Sequence, residues 1–207
     1  MYVPPRFAQA DREECLTLIE REPFGLLVTG GANGASFATH LPFLAERRGD
    51  EVVLVGHVAR ANPHWQAFDG AREALAVFQG PHGYISPAWY ATPGRVPTWN
   101  YIAVHAYGVP RIVEDAGAAK AAIAALTDRF ESARPAPWSV DGLPEREAEK
   151  LLTALVVFEM RVARFEGKWK LGQHMAEADR AGAVAGLEGE GGDPALIAAM
   201  KSGKAAA

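Results

Sequence analysis

Ten residues of this chain, GHVARANPHW at 56–65, bring together the groups that hold an anion. Arg60 supplies a permanent positive charge and a planar fork of donors that matches a carboxylate or phosphate. Two residues later, Asn62-Pro63 is a helix-start signal: Asn caps, and Pro at the first helical position gives up an N–H with no helical partner. A helix beginning there aims bare backbone N–H groups and the positive end of its dipole at whatever Arg60 faces. The plainer reading is that Arg60 pairs with Asp69 or Glu73 nearby, since helix starts occur everywhere.

Aromatic side chains are dense in three stretches. HGYISPAWY carries Tyr84, Trp89 and Tyr90, PTWNYIAVHAY carries Trp99, Tyr101 and Tyr107, and EGKWKL carries Trp169. Rings of this kind ordinarily fill a core or a subunit contact. Here Ser86, Thr98, Asn100 and His105 are interleaved with them. Planar apolar walls with a few directed hydrogen-bonding groups suit a flat heteroaromatic ligand. Together with an anion site, they point to a phosphorylated aromatic cofactor. Nucleotide-like ligands and flavin mononucleotide both fit, and composition does not choose between them.

Other chemistries find less support. TGGANGAS (29–36) lacks the terminal Gly-Lys-Ser/Thr of a phosphate loop and reads as a hairpin turn around Asn33-Gly34. The six histidines show no i, i+4 pair around a glutamate, and the lone Cys15 is remote from them in sequence, so no metal site is expected. A metal site assembled from separate strands is the remaining alternative of that kind. No serine lies in Gly-x-Ser-x-Gly, and Ser86 precedes a proline.

The elements that must position these groups are readable in outline. Asp11 opens a helix over about 11–22, with Glu14 as capping-box partner and Pro23 as the stop. Apolar runs flanking Gly31-Ala32-Asn33-Gly34 predict a hairpin, and EVVLVGHVA (51–59) predicts the next strand. Strands at 73–80 and 83–90 are expected to be broken by Pro81 and Pro87, and the strand over 98–115 to turn or bulge near Gly108-Val109-Pro110. Helices follow at 116–132 and from about 143, separated by the proline-rich ARPAPWSVDG, and 156–171 alternates as a half-buried strand. From Gln173 onward a short helix, a glycine-rich linker (GLEGEGGD) and an alanine-rich tail are expected. Turn-linked strands with inserted helices predict a mainly β, α+β fold: a small antiparallel barrel decorated with helices, not a parallel sheet.

With 49% hydrophobic and 22% charged residues the chain has the balance of a soluble globular protein. A net charge of −4 argues against a dedicated nucleic-acid surface. One cysteine, a polar N-terminus and no long apolar run predict a reduced, cytoplasmic protein without signal peptide or membrane span.

THLPF (39–43), GHVARANPHW (56–65), FQGPHGYISPAWY (78–90), VPTWNYIAVHAYG (96–108) and FEGKWKLGQ (165–173) together resemble the PaiB family of FMN-binding negative transcriptional regulators. The blocks run in the same order through most of residues 1–175, and the tail from 176 to 207 carries no such signature. The resemblance implies an FMN-binding split barrel over 1–175, a helical or flexible tail over 176–207, and a homodimer with flavin sites at the subunit contact. It implies a phosphate grip by Arg60 with Asn62, His57 and Ala59 on the strand beside the flavin, and Thr39 and His40 approaching from the neighbouring strand. Ser86, Trp99, Asn100, Lys168, Lys170 and Gln173 are expected to complete the pocket, the donating subunit being left open.

The regulatory label is a separate matter. The helices at 116–132 and 143–155 are joined by a long link instead of a short turn, so no helix-turn-helix is visible. A regulator that responds to flavin redox state is the leading expectation, and direct DNA binding is not supported by the charge. The alternative is a flavin-dependent oxidoreductase acting on a small substrate, where the protein need only position the flavin. A haem ligated through His40, His57 or His105 is a further alternative.

Overall fold

Val52, Val53, Leu54 and Val55 are all buried, which is what a strand covered on both faces requires. They lie in β5 (Glu51–Ala59) of the computed structural model, which describes residues 1–31 and 34–203. The other strands are β1 (Ala8–Gln9), β2 (Phe24–Gly30), β3 (Ser36–Pro42), β4 (Leu44–Arg48), β6 (Ala74–Ile85), β7 (Thr98–Ile112) and β8 (Leu155–Lys170). The α-helices are α1 (Arg12–Arg21), α2 (Ala116–Glu131), α3 (Glu145–Thr153), α4 (Glu177–Gly189) and α5 (Pro194–Ser202). The strand order is β3-β2-β6-β7-β8-β5-β4, with β1 added on β8, and the pairings of β1 with β8, β2 with β3 and β6, and β5 with β4 and β8 are antiparallel. The expected antiparallel α+β class is therefore the observed one.

The chain divides into two units. The first comprises residues 1–22, 78–105 and those from 165 onward; the second comprises 23–77 and 106–164. In the second unit β5 pairs with β8 from Val53↔Arg161 to Ala59↔Leu155. One face of that pair sets Leu54 and Gly56 beside Met160 and Phe158; the other sets Val53, Val55 and Val157 against Ala119, Ala122 and Ile123 of α2. Each fully buried Val or Leu contributes about 1.5–3 kcal/mol. A Cβ on Gly56 would lie 2.7 Å from a Leu41 methyl and 2.9 Å from the Phe158 ring, so a side chain there would have to push both aside.

In the first unit Asp11 caps α1 by accepting from the Glu13 N–H at 2.8 Å, and Cys15, Leu16, Leu18 and Ile19 are buried. Burial, then Asp11 and Glu14, pushes the Cys15 thiol up to about 12, so it stays protonated and acts as a small apolar residue. Helices α4 and α5 contribute Ala183, Val184, Leu187, Leu196 and Met200 to the buried set. Among the described residues no helix is long and apolar enough to cross a membrane.

Three local expectations need correction. β6 runs unbroken through Pro81 to Ile85, and Pro87 opens a short 3-10 helix beyond the strand instead of breaking it. β7 continues through Gly108-Val109-Pro110 without a turn. Gly108 serves close approach there, since a Cβ would meet the Arg161 carbonyl oxygen at 2.2 Å. The stretch GLEGEGGD is not wholly a linker: its first four residues are the last turn of α4. The hairpin pairs β2 and β3 from Phe24↔Pro42 to Gly30↔Ser36, while Ala32 and Asn33, on which the turn prediction rests, lie outside the described residues.

Candidate functional site

The second unit gathers Thr39, His40, His57, Ala59, Arg60 and Asn62 on β3, β5 and the turn that follows β5. Asn62 caps as expected, its Oδ1 accepting from the His64 N–H at 3.0 Å with Pro63 at the first position. The helix it caps is 3-10 and spans only Pro63–Ala67. Five residues of 3-10 helix carry little aligned dipole, so the expected cradle of bare N–H groups is not what this turn offers.

What the turn does build is a chain of neutral hydrogen bonds. Asn62 Nδ2 donates to Thr39 Oγ1 at 3.2 Å, and Thr39 Oγ1 lies 2.8 Å from His64 Nδ1. His64 Nε2 lies 3.0 Å from Thr29 Oγ1. A neutral imidazole satisfies both contacts, one ring nitrogen donating to a threonine hydroxyl and the other accepting from one. This neutral arrangement agrees with burial holding the His64 imidazole below its ordinary range. Phe37 and Phe68 flank the ring at centroid distances of 4.8 and 5.3 Å. His64 and Thr29 were not expected as site residues. His64 belongs to the GHVARANPHW stretch, but no local signal connects Thr29 to it.

Arg60 is exposed, and its guanidinium is held by backbone: Nε donates to the Thr153 carbonyl at 2.7 Å and Nη2 to that of Leu155 at 2.9 Å. Trp65 Nε1 in turn donates to the Arg60 carbonyl at 3.0 Å. The nearby acids are engaged elsewhere, Asp69 with Arg72 and Glu73 with Arg164. Among the described residues Arg60 has no carboxylate partner, so its charge is positioned and uncompensated. It lines a cavity of about 590 Å³ together with strand residues such as Ile112 and Leu155 and with α2 and α3, where Glu114, Glu145 and Glu149 also lie but form no ion pair with it.

His57 is half-buried, with Nδ1 shielded from solvent and, among the described residues, without a hydrogen-bond partner. Burial lowers its pKa, so the ring is neutral and one nitrogen lacks a hydrogen bond. Ala59, two residues on and on the same strand face, is exposed. His40 lies on the other face of β3 from Thr39, stacked on Phe24 at 6.0 Å. An orphaned imidazole nitrogen, an open small residue and an uncompensated guanidinium fit a ligand with hydrogen-bonding ring edges and an anionic tail. Arg60 would hold the phosphate of FMN, and His57 and Ala59 would face its ring system.

The remaining expected residues belong to the first unit, and their side chains are largely committed. Ser86 caps the 3-10 turn at 87–89, accepting from the Ala88 N–H at 3.2 Å. Asn100 is buried and donates to Met200 Sδ at 3.5 Å. Lys168 is buried beside the Tyr2 and Tyr101 rings and donates to the Tyr2 carbonyl at 3.1 Å. Gln173 accepts from the Leu171 N–H at 2.8 Å and donates to the Trp169 carbonyl at 2.6 Å. Trp99 is exposed, with His82 and Tyr84 at 6.2 and 6.1 Å. Lys170 is half-buried and donates to Thr98 Oγ1 and, at 2.8 Å, to the Trp99 carbonyl.

Comparison with known proteins identifies the family and the fold. The profile of the family described as "Putative FMN-binding domain" matches residues 1–164. The chain is 34% identical over 190 residues to protease synthase and sporulation protein PAI 2 of Bacillus subtilis strain 168, covering 92% of this chain and 90% of that one. Among solved structures it is similar to the FAD and heme binding protein of Mycobacterium smegmatis, with TM-score 0.59, 20% identity, and 79% and 73% of the two chains covered. It is equally similar to the flavocytochrome Anf3 of Azotobacter vinelandii, with TM-score 0.58, 19% identity, and 81% and 72% covered. At such identities the two structures speak for the fold alone, and that fold is the expected split barrel. Arg60 and His57 both lie within the matched residues 1–164: the protein belongs to the PaiB family, and its cofactor is FMN.

Proposed function

We propose that this chain acts as a cytoplasmic homodimeric FMN-binding regulator, with the flavin seated on the Thr39–His57–Arg60–Asn62 cluster. The observation that carries the seat is Arg60, a guanidinium fixed by two carbonyls and matched by no carboxylate among the described residues. The second copy covers the outward face of β2 and β3, where Phe24 is 66% exposed, Ala38 is exposed and Leu26 and Val28 are half-buried. It also supplies Trp99, whose exposed ring suits a planar ligand. The negative regulatory role rests on PaiB-family membership and accords with the relative named for protease synthesis and sporulation. Direct DNA contact is not part of the proposal, because the net charge is −4 and Lys120 of α2 is paired with Asp141.

Arg60→Ala tests the seat. Loss of a charged hydrogen bond worth about 1.5–3 kcal/mol predicts FMN affinity lowered about 10- to 100-fold, read by quenching of flavin fluorescence. The dimer, followed by light scattering, persists. Unchanged affinity places the seat elsewhere, and a monomeric wild type removes the partner's share. For regulation, transcript levels in cells carrying wild-type or Arg60→Ala protein must differ; identical profiles remove a flavin-dependent role.

A further inference from the structure

The first unit contains a second electrostatic feature, and of its basic residues only Lys170 is among those the family resemblance implies for the flavin pocket. A cavity of about 260 Å³ is lined by four basic side chains, Arg6, Arg95, Lys170 and His174. Among the described residues Asp179 is the carboxylate paired with any of them. It is fully buried, accepts the Thr92 N–H at 2.8 Å, and binds Arg95 through Nη2 at 3.0 Å and Nε at 3.2 Å. Thr92 foremost, then Arg95, keeps its carboxyl below the usual range, so it stays ionised and fixes the direction of Arg95. Lys170 is fixed by Thr98 and the Trp99 carbonyl.

Arg6, Arg95 and Lys170 therefore bring three positive charges to one small concave space, and among the described residues only Arg95 of the three is paired with a carboxylate, the buried Asp179. Burial, then Arg6, Lys170 and Arg95, holds the His174 imidazole below its ordinary range, and burial, then Lys168, lowers Lys170. Like charges gathered in a partly desolvated cavity weaken the fold unless an anion joins them. The cavity is smaller than the roughly 300–1,000 Å³ of pockets for drug-sized ligands, which restricts the guest to a small one. Lys170, His174 and Asp179 also lie beyond the residues matched by the flavin-domain profile.

We propose that this cavity is a separate binding site for a phosphate group, free or carried on a small molecule, contacted by Arg6, Arg95 and Lys170, with Asp179 as the positioning residue for Arg95. It does not depend on the Arg60 seat. The test is calorimetric titration of inorganic phosphate into FMN-saturated protein at constant ionic strength. Phosphate is expected to bind, about tenfold more weakly in Arg95→Gln and in Lys170→Gln, the loss expected for one charged hydrogen bond. Lys170→Arg retains binding, and melting curves without phosphate verify that each variant is folded. Arg60→Ala, which loses FMN if the flavin reading holds, still binds phosphate, so the two ideas fail independently. No binding to the wild type, or equal binding to both Gln variants, overturns the site. Phosphate heat that disappears as FMN is added also overturns it, because the cavity then belongs to the flavin's own phosphate.

Discussion

The Thr29–His64–Thr39–Asn62 chain in the second unit and the Arg6–Arg95–Lys170–His174 cavity in the first both centre on a histidine with a lowered pKa. The causes differ. Burial alone is what lowers His64, and both of its ring nitrogens have hydroxyl neighbours at 2.8 and 3.0 Å. His174 is lowered by burial together with three cations. A neutral polar group can be satisfied entirely from within the chain, and then it stiffens the structure that carries a site. A cluster of like charges cannot be satisfied by hydrogen bonds to carbonyls, and it remains available to a ligand. Arg60 follows the second pattern in miniature, beside a scaffold that follows the first.

The comparison breaks most sharply at His64. His64→Ala removes ring contacts with Phe37 and Phe68 and strips the buried Thr29 hydroxyl of its partner. The expected cost is about 2–4 kcal/mol, measured by chemical denaturation. A loss below about 0.5 kcal/mol would show that the hydroxyl chain is not structural.

In the first unit the corresponding strain point is Gly186 of α4, where a Cβ would come within 2.2 Å of the Trp89 ring. Gly186→Ala forces the ring or the helix to shift, for about 1–3 kcal/mol. Because α4 carries Asp179, phosphate binding should weaken along with the melting temperature, whereas FMN affinity should hold. A melting temperature equal to wild type would mean that Trp89 repacks without moving the helix.

The smallest effect is a slope. For His57, His64 and His174 the folded pKa lies below the unfolded value of about 6.5. The unfolded chain then takes up protons first, so stability is complete above that value and falls as pH drops below it. Each histidine contributes at most about 1.4 kcal/mol per pH unit. Melting between pH 7 and pH 5 should show the decline, shallower in His64→Gln. Equal slopes would mean that His64 titrates alike in both states.

Much of the local architecture was legible. Asp11 and Asn62 cap where their side-chain chemistry puts them, and the run at 52–55 is the doubly covered strand its continuous apolarity predicts. Pro81 and Gly108-Val109-Pro110 misled because proline and glycine are local breakers on average, while strand pairing overrides them here. The site was legible as a set of residue types in GHVARANPHW. Its working parts were less so: a chemically plausible partner for Arg60 lay nearby in Asp69, yet the arginine turned to carbonyls more than ninety residues away.

The amino-acid order by itself determined the caps, the buried strand, the antiparallel class and the presence of a cation beside Asn-Pro. These follow from backbone preferences and side-chain polarity within a few neighbouring residues. Only the tertiary structure decided which charges are compensated. Asp179 reaches Arg95 across 84 positions and Thr29 reaches His64 across 35, whereas Arg60 and Lys170 are left with carbonyl and hydroxyl partners. Compensation depends on distance in space and on desolvation, and neither is fixed until the chain has folded.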